Sequence, residues 1–192
     1  KVPIENMLSE RENGFKIAMN ALNIGRIKLA VACIDAERRI INAATNYSNE
    51  RVQFNKKISE FGAVSQKLAM MATDLYAGES ATYRAAKDIE DRISILESEG
   101  KNHQEAELKG VEEYVIECSM LKVALSDDAQ NIADEAIQIY GGMGYSTETP
   151  IESAWRDSRI ARIYEGTNEI NRLVSIGMPV SYTHLTLPTK RI

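Results

Sequence analysis

The sequence predicts an all-α chain folded as an antiparallel four-helix-type bundle. Three observations support this. Apolar residues recur at three- and four-residue steps over three long stretches. No segment alternates apolar and polar residues with the two-residue period of a strand. Glycine, asparagine and proline fall between the periodic stretches, where a bundle has to turn. Long amphipathic helices draw most of their stability from packing, so each needs partners of similar length.

The first helix is expected from Gly14, where Phe15, Ala18, Met19 and Leu22 begin a stripe that continues through Leu29, Ala30, Ile34, Ile40, Ile41, Ala44 and Tyr47. Gly25 is expected to notch it. Residues 49–55 end the helix and open a polar connection carrying Lys56 and Lys57. A second helix is expected from about Ser59, with Phe61, Val64, Leu68, Met71, Leu75, Tyr76 and Ala85 on one face. Residues 97–104, broken by Gly100 and Asn102, are the most loop-like interior stretch. A third helix is expected over 105–140, its start weakened by Gly110. Pro150 suits the first turn of a short helix, because its missing N–H is unpaired there anyway. Gly166 is expected to break that helix directly after Glu165, and Thr167 to cap a last one. After Met178 the texture changes to a threonine-rich, proline-flanked tail over 179–192, which resembles a translated sequencing-adapter scar and is set apart from the 14–178 bundle.

The 192 residues suffice for one domain with a real core, or a part of a larger protein. Hydrophobic residues make up 44% and charged residues 27%, the balance of a soluble globular domain. The net charge of −5 gives no reason to expect nucleic acid as a partner. Cys33 and Cys118 lie too far apart for a zinc site or a disulfide framework, so reduced core thiols in a cytosol-like compartment are expected. His103 and His184 have no metal-ligating company, and no metal is expected. No uninterrupted apolar run approaches the ~20 residues that span a bilayer, and no transmembrane segment is expected. Residues 1–13 show no signal peptide, and the missing initiator Met suggests a chain cut from something longer.

Function concentrates between Gln138 and Arg172. Gly141, Gly142 and Gly144 allow close approaches that side chains block, and backbone amides freed there can meet phosphate or ring acceptors. Glu165 lies at a junction between helices, beside N–H groups lacking an intrahelical partner. A carboxylate held at such a break can point into a cleft, whereas on a continuous helix it would face water. Trp155 is expected in the core, and Arg156 with Asp157 as a structural charge pair.

The run Gln138-Ile-Tyr-Gly-Gly-Met-Gly-Tyr145, then Arg156-Asp157, then Ile163-Tyr-Glu-Gly-Thr-Asn-Glu-Ile-Asn-Arg172, resembles the C-terminal signature of the FAD-dependent acyl-CoA dehydrogenases in residue type, order and spacing. The resemblance covers nearly all of the chain before residue 179. It implies the C-terminal helical domain of such an enzyme, with residues 1–13 as the end of a preceding β-domain or linker. It implies Glu165 as the base that takes the proton alpha to a thioester carbonyl while hydride leaves the beta carbon for FAD. A carboxylate works best as a base when its pKa approaches the working pH. Some members carry the base on an earlier helix, near Leu22–Arg26 here, where no acid occurs.

By the same resemblance Gln138, Gly141, Gly142, Thr167, Asn168 and Glu169 approach FAD, and Arg51, Gln53 and Phe54 match a segment whose arginine reaches the FAD pyrophosphate of a neighbouring subunit. The glycine usual after Phe54 is Asn55 here. Phe61 falls at another cofactor contact, and Asn23, Arg26 and Gly166 at acyl-CoA contacts. Arg26 lies amid apolar residues and needs a partner if buried, which an acid of the bundle would supply equally well. Residues 53–62 lean toward the very-long-chain branch. The implied activity is conversion of fatty acyl-CoA to 2,3-enoyl-CoA, with an electron-transfer flavoprotein as acceptor, in a homodimer or homotetramer. The implied location is the cytoplasm, or the mitochondrial matrix in a eukaryote. An oxygen-using acyl-CoA oxidase and a non-catalytic helical oligomerisation domain are the alternatives.

Overall fold

The computed structural model describes residues 2–7 and 11–186, with side chains described through 177. Six α-helices build the described chain: α1 (Gly14–Glu50), α2 (Gly62–Ser98), α3 (His103–Glu113), α4 (Val115–Tyr140), α5 (Pro150–Ile160) and α6 (Asn168–Thr186). Helix α4 is the centre, packing on α1, α2, α5 and α6, and its seam with α1 is the most extensive helix–helix contact. Two apolar layers run along that seam. One holds Leu29, Cys33, Ile34, Leu121 and Leu125, and the other Ile40, Ile41, Ala44, Ile132 and Ala136. Residues of one layer recur every third or fourth position, as a buried helical stripe requires.

The long helices stand where the periodicity puts them, with four differences. Helix α1 is continuous through Gly25, so that glycine does not break it. The stretch expected as one helix over 105–140 is two, because Tyr114 leaves helical torsions at φ −106° and ψ 27° and its amide turns back to Val111. A two-residue hairpin, β1 (Val52–Gln53) with β2 (Lys56–Lys57), occupies the polar connection after α1, paired Val52 to Lys57 and Gln53 to Lys56. Finally, α5 ends at Ile160, so Glu165 lies in an irregular turn rather than at a helix's last residue.

Helix ends follow local chemistry. Asn102 caps α3 by accepting from the Glu105 amide at 3.0 Å, and Pro150 opens α5. Trp155 is not in the core: it is 38% exposed and donates from Nε1 to Asp134. Tyr76 and Phe15 are also exposed, because periodicity gives a helix a face but does not say whether a partner covers it. Helix α1 is long and apolar enough to cross a membrane by length and composition alone, although polar residues interrupt its apolar runs. Here it packs on α4 and buries Asn23, Arg26 and Glu37, as a core helix of a bundle does. Pro179 does not end α6, which continues to Thr186, and residues 187–192 lie outside the described residues.

Candidate active site

The turn between α5 and α6 has an unusual backbone. Glu165 has φ +59° and Gly166 φ +82°. For glycine the left-handed region is free of penalty, but for a glutamate it costs roughly 1–2 kcal/mol. Such strain persists only where surrounding contacts over-determine it. Three helices supply those contacts by capturing the turn's carbonyls. From α1, Arg26 Nε donates to the Glu165 oxygen at 3.3 Å. From α4, Lys122 Nζ donates to the Gly166 oxygen at 2.9 Å. From α6, Asn171 Nδ2 donates to the carbonyls of Glu165, Gly166 and Thr167 at 3.3, 2.8 and 3.1 Å. Thr167 caps α6 by accepting from the Ile170 amide at 3.4 Å. Backbone bonds in the turn run from the amides of Ile163, Tyr164 and Asn168, and none runs from Glu165 or Gly166 among the described residues.

The Glu165 side chain lies on α1. A Cβ built on Gly25 would fall 2.6 Å from Oε2, 2.7 Å from Cδ and 2.8 Å from Oε1 of Glu165. Gly25 is therefore a seat for this carboxylate. Oε2 of Glu165 is buried and accepts no hydrogen bond among the described residues. Beside it, between α1 and α5, a groove of about 370 Å³ is lined by Leu29, Cys33, Ala36, Ile40, Ala161 and Tyr164, among others. Glu165 is not itself in that lining; its neighbour Tyr164 is.

The polar residues expected at this end divide into two kinds. Arg26 is 3% exposed, and Nη1 donates to Asn23 Oδ1 and Ser119 Oγ, each at 3.1 Å. Burial lowers its pKa, opposed by Cys118 and then Glu165. Asn23 and Arg26, expected at the acyl-CoA, are thus engaged in supporting the Glu165 turn. Asn168, expected at FAD, is buried and turned inward: Oδ1 accepts from Lys122 at 2.6 Å, and Nδ2 donates to Ser126 Oγ at 2.9 Å and Asp127 at 3.0 Å. Asp127 also takes Arg162 at 2.6 Å and Arg172 at 2.5 Å, joining α4 to both sides of the turn. Thr167 is half-buried and Glu169 exposed, so both retain open sides. Burial above all pushes the Cys33 thiol up to about 12 and the Cys118 thiol to about 11, which disfavours the thiolate in both.

A second cluster forms at the far end of α4. The hairpin turn is Phe54-Asn55, both with positive φ, +52° and +66°. That is the geometry of a two-residue primed turn, and asparagine tolerates it. Phe54 is 88% exposed and meets the Phe61 ring edge-on with centroids 6.3 Å apart, while Lys56 Nζ stands 4.1 Å over Phe61. Gln53, Phe54, Phe61, Lys67 and Gln138 line one open groove. Arg51 is exposed at the end of α1, just before the hairpin.

The glycines after α4 have different tasks. Gly141 takes φ +62° and ψ −141°, a conformation essentially reserved for glycine. At Gly144 a Cβ would lie 2.7 Å from the Ile137 oxygen, so close packing excludes it. Gly142 has nothing within 4 Å and remains open to approach. Tyr47 and Tyr140 stack at 4.0 Å, and each hydroxyl donates to a carbonyl of the opposite helix, which ties this turn to α1.

The structure thus brings Gln53, Phe54, Phe61 and Gln138 together, and separately gathers Asn23, Arg26, Glu165, Gly166, Thr167 and Asn168. The two groups are far apart. Lys122 and Gln138 are sixteen residues apart on α4, about 24 Å at 1.5 Å per residue. Sequence reasoning missed Lys122, Asn171, Ser119 and Asp127. Lys122 had a signal, because it falls beside Cys118, Leu121 and Leu125 on the apolar stripe, where a charge requires partners. His184 lies where side chains are not described.

The profile of the family described as acyl-CoA dehydrogenase, C-terminal domain, matches residues 12–176. A probable acyl-CoA dehydrogenase of Bacillus subtilis (strain 168) is 47% identical over 174 residues, covering 91% of this chain and 29% of the relative. The crystal structure of acyl-CoA dehydrogenase complexed with FAD from Bacillus anthracis superposes with a TM-score of 0.91 at 43% identity, covering 97% of this chain and 32% of that one. Butyryl-CoA dehydrogenase from Megasphaera elsdenii superposes at 0.78 with 37% identity, covering 93% and 42% respectively. The chain therefore spans about a third of the length of these relatives. Its fold and its sequence agree, and the chain belongs to the acyl-CoA dehydrogenase family, matching that family's C-terminal domain.

Proposed function

We propose that this chain supplies the catalytic base, and part of the flavin seat, of a fatty acyl-CoA dehydrogenase. The observation carrying the reading is Glu165: a strained residue whose buried Oε2 has no partner among the described residues, seated against a glycine that makes room for it. An unpaired buried acceptor is costly in a merely structural role and useful in a base.

The residues fit the chemistry as follows. Acyl-CoA lies with its alpha C–H against the Glu165 carboxylate, which takes the proton. The amides of Glu165 and Gly166, having no backbone acceptor, are available to the thioester oxygen, where negative charge develops as the proton leaves. FAD, when bound, accepts the hydride from the beta carbon. Thr167 and Glu169 keep polar groups on the open side of the α6 start, toward the flavin. Gln53, Phe54, Phe61 and Gln138, with Arg51, Gly141 and Gly142, form an aromatic and polar groove suited to a ring system and its phosphates. By resemblance to the family, the groove serves a flavin in a neighbouring subunit, hence a homodimer or homotetramer.

An electron-transfer flavoprotein would reoxidise the enzyme, in the cytoplasm or the mitochondrial matrix. Relatives of the very-long-chain branch are 39% identical and of the short-chain branch 38%, so the lean to long chains rests on residues 53–62. The isolated chain is expected to bind FAD weakly and not to turn over. The test is anaerobic bleaching of the flavin by acyl-CoA in the flavoprotein carrying this domain. Bleaching should fall by 100-fold or more (roughly the scale for losing a general base) in Glu165→Gln, and undiminished bleaching removes the base assignment.

A further inference from the structure

We propose that Lys122 is a positioning residue for the Glu165 base, a role that rests on the reading of Glu165 given above. Lys122 is fully buried on α4, and burial lowers its pKa. A buried ammonium needs compensation, and carboxylates usually supply it. Here no carboxylate lies within ion-pair distance among the described residues. Both acceptors are neutral, the Gly166 carbonyl at 2.9 Å and Asn168 Oδ1 at 2.6 Å.

An aliphatic side chain would fit the stripe of Cys118, Leu121 and Leu125 without that desolvation. What an ammonium does, and an aliphatic chain cannot, is reach across to the turn and hold a carbonyl. The carbonyl it holds belongs to Gly166, the residue directly after the base. Its second acceptor is fixed in turn, since the Asn168 amide is oriented by Ser126 Oγ and Asp127. A continuous relay therefore runs from Asp127 through Asn168 and Lys122 to the backbone that carries Glu165. Arg26 and Asn171 hold the neighbouring carbonyls from α1 and α6, and Lys122 is the tether from the central helix. The turn has two consecutive left-handed residues and no helix of its own, so its geometry depends on these tethers.

The experiment uses the flavoprotein carrying this domain, with Lys122→Met and Glu165→Gln made in parallel. Lys122→Met should lower kcat about 100-fold, the loss associated with an ångström-scale misplacement of a reacting group. KM should stay within a few-fold of wild type and flavin content should be retained. The isotope effect with substrate deuterated at the alpha carbon should rise, since proton abstraction becomes more rate-limiting. A merely structural lysine would not move that isotope effect. Wild-type kcat and isotope effect in Lys122→Met, with Glu165→Gln inactive, overturn the positioning role alone. Full activity in Glu165→Gln overturns the base reading and the positioning role with it. Should Lys122→Met fail to fold, Asn168→Ala removes the acceptor that orients the ammonium and is read the same way. An unchanged isotope effect there overturns the proposal.

Discussion

Replacing Gly25 by alanine separates stability from chemistry. In a helix interior alanine is favoured over glycine by about 0.5–1 kcal/mol. The added methyl, however, would stand 2.6–2.8 Å from three atoms of the Glu165 carboxylate, against the 3.4 Å at which ordinary contact begins. The carboxylate is the end of a flexible side chain, so it yields by about 0.8 Å and the helix does not. Turning that side chain off its rotamer costs about 0.5–1.5 kcal/mol, which roughly cancels the gain in helix propensity. The melting temperature should therefore stay within a few degrees of wild type, at about 2–4 °C per kcal/mol for a chain of this size. Catalysis should not survive unchanged. A displacement approaching 1 Å lowers the rate about 100-fold, or about 2.7 kcal/mol of barrier. Circular dichroism melting gives the first quantity and anaerobic rapid mixing with acyl-CoA the second. Gly14→Ala is the control, since no atom of another described residue lies within 4 Å of its Cβ and its rate should not change. A wild-type bleaching rate in Gly25→Ala refutes the seat, and a melting drop beyond about 10 °C means that Gly25 serves bundle packing instead.

Two further perturbations probe the fold around the site. Glu37 is fully buried, with both carboxylate oxygens unpartnered among the described residues, and burial first, then Asp128 and Asp74, pushes it up to about 8. Because its folded pKa is raised, the stability it contributes is fully present below pH ~4.5 and declines as pH rises toward about 8, by up to about 5 kcal/mol. Denaturant melts of Glu37→Gln should show a flatter pH dependence across that window; an equally steep loss in the variant assigns it to other groups, Asp128 first. Phe54→Gly relieves a left-handed phenylalanine of about 1–2 kcal/mol, so the melting temperature should hold or rise while FAD affinity drops about tenfold. Unchanged flavin affinity by equilibrium titration would remove Phe54 from the cofactor groove.

The legible parts of the chain were those set by local sequence. The stripes on α1, α2 and α4, the proline start of α5 and the Thr167 cap all follow from helical period or from groups within one turn. Glu165 was legible as an acid at a break because Gly166 stands beside it. Its own left-handed backbone was not, because no local preference puts a glutamate there and the side chains that hold it come from other helices. Gly25 looked like a helix notch, since the carboxylate that fills its missing Cβ comes from 140 residues away. Tyr114 ends α3 without a glycine or proline at the break, so nothing in the pattern announces two helices. The inward turn of Asn168 was equally hidden, because its partners Lys122, Ser126 and Asp127 lie more than forty residues earlier.

The central claim is that one carboxylate, seated over Gly25 by a strained turn, removes the proton next to the thioester. It is tested most directly by exchange of the alpha hydrogen of a bound acyl-CoA that cannot lose its beta hydride. The exchange is followed by NMR in deuterated water with the intact flavoprotein. The wild type should wash deuterium into that position and Glu165→Gln should not. Equal exchange in both would contradict the assignment.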